Sequence, residues 1–168
     1  MPSAVLLSLL ATPAFGQRLS LEDPAGDAAN DVLDITAVTL ANRDYSVVAH
    51  VALAEMERGD VVVSVDRRHG RGVRLVTHRS SDGTVTSRLL GGAFTDRASG
   101  GELACGRLRA AWDDDASRVS LRMPSRCWND GDYGAVRYAV LTERGSRDRD
   151  WTPDDNGAVG VSDWVARG

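Results

Sequence analysis

The sequence contains no lysine, only two cysteines among its 168 residues, and no long hydrophobic run. Its 20 basic residues are therefore all arginine, which we interpret as the codon bias of a GC-rich genome and not as a functional signal. The net charge of −4 argues against a protein that binds nucleic acid non-specifically, because such proteins carry an excess of basic residues. The sequence therefore predicts no nucleic-acid partner.

Catalytic signatures are also missing. There is no Gly-x-Ser-x-Gly elbow, and the three histidines lack zinc spacing such as His-Glu-x-x-His. Paired carboxylates at Asp113-Asp114 or Asp154-Asp155 could serve a hydrolase as acid and base. Adjacent residues on a strand point to opposite faces, however, so neither pair is well arranged. We expect a protein that is not an enzyme and has no catalytic residues, with a secreted hydrolase as the weaker alternative.

The only clearly apolar run is short and lies near the N-terminus. Residues 4–11 read Ala-Val-Leu-Leu-Ser-Leu-Leu-Ala, and small residues then lead to an Ala-x-Gly cleavage pattern before Gln17. A bilayer-spanning helix needs about 20 apolar residues, so the run predicts no transmembrane segment. It predicts a signal peptide over residues 1–16, a single domain over residues 17–168, and a secreted, extracellular protein. A short buried N-terminal helix is the alternative.

Short alternating runs and seventeen glycines predict an all-β domain. Residues 60–90 are expected to form a three-stranded meander, residues 143–150 an exposed charged loop, and residues 159–164 a final short strand. In the run at residues 31–40, Leu33 and Ile35 are expected on one face, and Val38 and Leu40 on the other. Such runs predict about nine or ten strands in all.

The two cysteines stand at the outer ends of a predicted hairpin, Cys105 to Cys127. Each of its two alternating runs has one apolar face and one largely cationic face, and the turn between them is rich in aspartate. A disulfide needs Cα atoms roughly 4.4–6.8 Å apart, which the ends of paired strands can supply. We therefore predict a Cys105–Cys127 disulfide. Two free, buried cysteines in a cytosolic protein are the alternative.

Two acidic turns suggest calcium, which takes six to eight oxygen ligands from carboxylates and loop carbonyls. A sandwich often brings its first and last strands close together, so both turns could share one ion. The alternative is a pair of solvated turns whose aspartates bond to the backbone. The candidate calcium ligands are Asp23, Asp27, Asp31 and Asp34 in the first turn and Asp154 and Asp155 in the second.

Three aromatic residues in polar connections, Trp128, Tyr133 and Trp151, are candidate ligand-binding residues that could line one end of the sandwich. Tryptophan rings can stack on sugars. Aromatic residues beside turns also commonly plug the end of a sandwich core, and this alternative stays open.

Two patterns together resemble a known group. An Asp-Pro-x-Gly-Asp turn at residues 23–27 precedes Asp34-Ile35, and a late Val-x-Leu-x-Met-Pro-x-x-Cys order ends at Cys127. This order resembles uncharacterised secreted actinobacterial domains of DOMON-like type, which are β-sandwiches related to family-nine carbohydrate-binding modules. The resemblance implies an antiparallel β-sandwich of jelly-roll or immunoglobulin-like form. For better-studied relatives it implies binding of sugar, haem or calcium.

These observations together predict a secreted, non-catalytic binding module. We expect it to recognise a polysaccharide or another cell-envelope component. Calcium is the candidate cofactor that would stabilise it, and the absence of any cofactor is the alternative. The alternative is a structural or protein-interaction domain of the cell surface.

Overall fold

A computed structural model describes residues 17–28, 32–145 and 147–168, so the predicted signal peptide lies outside the described residues. The described chain forms two antiparallel sheets and contains no α-helix, only two short 3-10 turns. The predicted all-β sandwich is confirmed, with eleven strands in place of nine or ten. In spatial order, the first sheet is β1 (Gln17–Glu22), β2 (Ile35–Arg43), β3 (Ser46–Leu53), β9 (Arg118–Pro124) and β8 (Arg109–Asp113). The second sheet is β11 (Asp148–Thr152), β10 (Val136–Glu143), β4 (Gly59–Arg67), β5 (Val73–Arg79), β6 (Val85–Gly91) and β7 (Glu102–Leu103).

The core lies between the two sheets and consists mainly of valine and leucine. Val61, Val63 and Val65 alternate along β4 and are fully buried, because side chains two residues apart share one face of a strand. The predicted meander over residues 60–90 is confirmed as the consecutive strands β4, β5 and β6. β-branched residues fit this pleated, buried surface well, which explains why the runs of valine form the central strands.

The predicted disulfide hairpin is confirmed. Strands β8 and β9 pair with Ala110 opposite Leu121 and Trp112 opposite Val119, so the apolar residues share the inner face. Cys105 and Cys127 form a disulfide with Cα atoms 5.2 Å apart. Cys127 lies in the 3-10 turn Ser125–Cys127, which begins after Pro124 ends the strand.

Two expectations for the C-terminal third are wrong. The charged segment 143–150, which we expected to be an exposed loop, includes the last residue of β10 and the first three residues of β11, and these two strands pair. The expected strand over residues 159–164 does not form, since this region contributes only Val159 to the isolated bridge Asp154–Val159; a second isolated bridge, Val136–Val165, follows it. The charges of residues 143–150 concealed the strand, because only alternate side chains of β11 point away from solvent.

Strand β2 contains a register shift that changes which residues face the core. Its pairing with β3 shifts between Ile35 and Ala37, as at a β-bulge. Ile35, Val38 and Leu40 are consequently all fully buried, although we predicted Ile35 on the face opposite the other two. Leu33 is also fully buried and has a φ of 57°; it precedes Asp34, the residue before the strand begins.

Candidate functional site

Three carboxylates from distant parts of the chain converge. One oxygen from each of Asp23, Asp27 and Asp150 lies within 4.8 Å of the other two. Asp23 directly follows β1, Asp27 lies in the turn after it, and Asp150 belongs to β11. Because β1 and β11 belong to different sheets, this acidic cluster joins the early and late strands across the edge of the sandwich.

Asp34 holds the turn that carries Asp23 and Asp27. Its two carboxylate oxygens accept hydrogen bonds from the backbone N–H groups of Gly26, at 2.7 Å, and Ala28, at 3.2 Å. Gly26 has a φ of 89°, which glycine adopts without the steric penalty of a Cβ atom. Asp34 itself is buried. Its position therefore suits a residue that orders the turn.

Asp150 is fixed by the backbone around it. One oxygen accepts a hydrogen bond from the N–H of Ile35 at 2.6 Å, and the other accepts from the N–H of Trp151 at 2.8 Å. The first of these bonds connects β11 to the beginning of β2. It therefore places the Asp150 carboxylate beside the turn that Asp34 orders.

The electrostatics of the acidic cluster are unfavourable without a positive charge. The pKa of Asp23 is raised to about 7; burial is the largest cause, and repulsion from Asp150 is the second. Burial also raises the pKa of Asp150 to about 6, although the N–H groups of Ile35 and Trp151 oppose the rise. The Oδ2 atom of Asp23 is buried and has no hydrogen-bond partner within the described residues. A divalent cation with oxygen ligands would satisfy this atom and neutralise the repulsion.

The predicted calcium ligands separate into three groups. Asp23 and Asp27 lie in the acidic cluster, whereas Asp34 uses both of its oxygens to hold the turn. Asp31 lies outside the described residues. Asp154 and Asp155 are not part of the cluster, and Asp154 instead accepts a hydrogen bond from the N–H of Gly157 at 2.7 Å.

Sequence reasoning missed Asp150, the carboxylate that the late part of the chain contributes. The available signal was the alternation in Asp148-Arg-Asp-Trp-Thr152, which is typical of a strand with Asp150 and Thr152 on one face. Both of these residues are buried. The expectation that the first and last strands meet pointed to Asp154 and Asp155, which do not belong to this cluster.

The predicted aromatic ligand site is not assembled. Trp128 and Tyr133 are only 4% and 5% exposed, and their rings stack on each other with centroids 4.7 Å apart. The indole N–H of Trp128 donates a hydrogen bond to the backbone oxygen of Arg71 at 3.2 Å. Trp151 packs instead against a separate cluster on the second sheet. These positions favour the alternative that Trp128 and Tyr133 plug the core, and they correct the expectation that all three rings line one binding surface.

A second candidate site lies at the disulfide end of the β8–β9 hairpin, where the chain forms an open cleft of about 700 Å³. Tyr45 stands beside it in the turn between β2 and β3 and is 83% exposed. The cationic face of this hairpin was predicted from the sequence, but its meeting with Tyr45 was not. We name this site the arginine cleft; it is lined by Tyr45, Arg107, Arg109, Arg122, Pro124, Ser125 and Arg126.

Comparison of the chain with protein-family models, with curated proteins and with solved structures gives no match. The DOMON-like resemblance therefore stays a prediction. Within the described residues, no helix has the length and apolar character needed to cross a membrane.

Proposed function

We propose that this chain is an exported, non-catalytic binding module that is stabilised by one calcium ion and recognises a glycan or cell-envelope polymer. The observation that carries the proposal is the convergence of Asp23 and Asp27, from the turn after β1, with Asp150 of β11 within 4.8 Å. The disulfide supports the exported location, because disulfides persist mainly in oxidising compartments. The DOMON-like resemblance adds the expectation of sugar as ligand.

Calcium suits the acidic cluster better than a transition metal does. Its ligands would be carboxylate oxygens of Asp23, Asp27 and Asp150, and among the described residues no histidine or cysteine joins this group. Loop carbonyls and water would supply the remaining oxygens, as they commonly do for this ion. The ion would link β1 and its turn to β11, so its role would be to stabilise the edge of the sandwich.

Calcium is therefore expected to raise the melting temperature. At a free concentration 100 times the dissociation constant, binding to the native state alone adds about 2.7 kcal/mol. For a domain of this size, that corresponds to roughly 5–10 °C. Calorimetric titration and thermal denaturation at pH 7.5 measure both effects. Asp23→Asn should abolish the calcium effect, whereas Asp115→Asn, at an exposed position in the β8–β9 turn, should preserve it. Absence of both heat and thermal shift in the wild type would end the calcium proposal.

The calcium effect should also depend on pH. The native pKa values of Asp23 and Asp150 lie near 7 and 6, above the unfolded value of about 4. Between about pH 4 and pH 7, the native state therefore binds more protons than the unfolded state does. Without calcium, the contribution of these groups to stability is therefore fully present below about pH 4 and is lost as the pH rises through 6–7. Calcium binding requires deprotonated ligands, so its affinity should rise over the same range.

The matching measurement compares melting temperatures in chelator and in calcium at several pH values. We expect the calcium-induced shift at pH 8 to be at least about twice the shift at pH 5.5. In chelator, Asp23→Asn should remove part of the fall in stability between pH 5 and 8. A calcium shift of equal size at both pH values would contradict the assignment to these carboxylates.

A protein-interaction domain of the cell surface is a second candidate function. It is favoured by the burial of Trp128 and Tyr133, because these two rings are then not exposed for stacking on a sugar. Cross-linking at the cell surface distinguishes the two functions. Repeated recovery of one protein partner, together with no binding to polysaccharides, would support the interaction domain.

A further inference from the structure

We infer that the arginine cleft binds a carboxylate-bearing polysaccharide, with its acid groups on the arginines and a sugar ring against Tyr45. This inference rests on the proposed function as a binding module. The acidic cluster plays no part in it.

The first observation is that the β8–β9 hairpin carries an unbalanced positive charge at its disulfide end. Arg109 and Arg122 are direct cross-strand partners in the β8–β9 pairing. Like charges in such positions lie close together and destabilise a sheet. At the other end of the same hairpin, Asp113 stands opposite Arg118 and their charged groups approach to 3.6 Å. The hairpin thus balances charge at one end and concentrates positive charge at the other.

The second observation is that, in the part of the chain that the structure describes, no acidic side chain lines the arginine cleft. Within the described residues, none of its four arginines forms an ion pair, and Arg109 donates only to the backbone oxygen of Leu108, at 3.0 Å. All four side chains belong to exposed residues. Their guanidinium groups are therefore free to receive anions from solution.

The arrangement of the charges favours a polymer over a single small anion. Adjacent strands lie about 4.8 Å apart, and Arg109 and Arg122 are related in this way. Arg107 lies in the turn before β8 and Arg126 in the 3-10 turn after β9, so the positive charge extends beyond this pair. A chain with repeating carboxylates can contact several of these sites at once. Each guanidinium can bind a carboxylate through two parallel hydrogen bonds.

Tyr45 adds a surface for the sugar itself. Its backbone oxygen accepts a hydrogen bond from the N–H of Ser125 at 3.0 Å, and the N–H of Asp44 donates to the backbone oxygen of Gly168 at 3.1 Å. These bonds hold the turn in place while the side chain stays exposed. A tyrosine presented in this way offers an apolar ring face with a polar tip, which suits a sugar ring.

Two alternatives are weaker. Nucleic acid is disfavoured because the chain has a net charge of −4 and, of the residues described, Tyr45 alone gives the cleft an aromatic ring for stacking on bases. A second basic cleft, of about 680 Å³, is partly neutralised. Two of its arginines are already paired, Arg79 with Asp114 and Arg144 with Glu57, each at 2.5 Å.

The test uses short oligogalacturonates and their methyl esters, which differ in charge but share the same sugar backbone. Titration calorimetry at a fixed low calcium concentration should show binding of the acid form. Its affinity should fall as salt is added, and the ester should bind at least about tenfold more weakly. Arg109→Ser combined with Arg122→Ser should weaken binding at least about tenfold. Tyr45→Ala should weaken binding to both forms.

The matched control is Arg58→Ser combined with Arg147→Ser, which removes the same charge from the second basic cleft. It should change the affinity less than about twofold, because surface charges at a distance are screened. The Arg109/Arg122 variant should fold at least as well as the wild type, since it removes a like-charge pair. Melting temperatures check this point.

Several results would overturn the inference. Equal binding of acid and ester would refute the acidic class, and wild-type affinity in the Arg109/Arg122 variant would refute the site. A loss confined to the Arg58/Arg147 control would assign binding to the second cleft, and tighter binding of single-stranded DNA would assign the surface to nucleic acid. Binding of neutral polysaccharides alone would leave the proposed binding module standing. Absence of binding to every polysaccharide would remove the glycan part of the proposed function too, while the calcium test stays independent.

Discussion

Replacing both Cys105 and Cys127 with serine is expected to lower the free energy of unfolding by about 3 kcal/mol. The disulfide closes a loop with a sequence separation of 22 residues. In the chain-entropy description, such a cross-link restricts the unfolded chain, and its removal lets that chain regain conformational freedom. For a domain of this size, the melting temperature should fall by roughly 6–12 °C, measured by thermal denaturation with circular dichroism.

The same loss should follow when the wild-type protein is reduced, which provides a control without a substitution. The double serine variant should also retain the calcium-induced shift, because the disulfide and the acidic cluster use different residues. A melting temperature within about 2 °C of the wild type would show that the disulfide adds little to this fold. Insensitivity of the wild type to reductant, beside a destabilised variant, would indicate that the serines themselves disturb the packing.

The disulfide hairpin could be predicted because its determinants are local. Alternation along both runs, an aspartate-rich turn and two cysteines at the ends all lie within residues 105–127. The β-meander was predictable for the same reason, since consecutive strands with short turns tend to pair. Neither prediction needed any knowledge of which distant strand lies alongside.

The acidic cluster could be predicted only in part. The turn with Asp23 and Asp27 was visible, but its partner Asp150 lies more than 120 residues further along the chain. The pairing of β11 with β10 at one edge of the second sheet decides that meeting, and no local pattern encodes it. The charges around Asp150 also suggested an exposed loop, although alternate side chains of a charged strand can still face inward.

The arginine cleft, too, could be predicted from the sequence only in part. The cationic outer face of β8 and β9 follows from the alternation of their residues. That Tyr45 stands beside this face depends on the pairing of β3 with β9, which are separated by five strands in the sequence. The burial of Trp128 and Tyr133 likewise depends on how a connection folds back over the end of the core. Local sequence shows such residues to be aromatic and close to turns, but it does not show which way they point.

Asp34→Ala should have the second large effect, because it removes both acceptors that order the Asp23–Asp27 turn. Hydrogen bonds to a charged group contribute about 1.5–3 kcal/mol each, and a buried donor left unpaired costs about 1–3 kcal/mol. The N–H of Ala28 is in a buried residue, whereas Gly26 is exposed and can bond to water instead. We therefore expect a loss of about 2–4 kcal/mol in the free energy of unfolding.

The calcium-induced rise in melting temperature should disappear in the same variant, since the turn no longer holds Asp23 and Asp27 beside Asp150. Asp34→Asn retains one acceptor oxygen and should give an intermediate result in both measurements. Asp154→Ala is the matched control, because Asp154 also accepts a backbone hydrogen bond but lies outside the acidic cluster. That control should keep the full calcium shift. If Asp154→Ala abolished the shift while Asp34→Ala preserved it, the ion would belong to the later turn and the assignment to Asp23, Asp27 and Asp150 would be wrong.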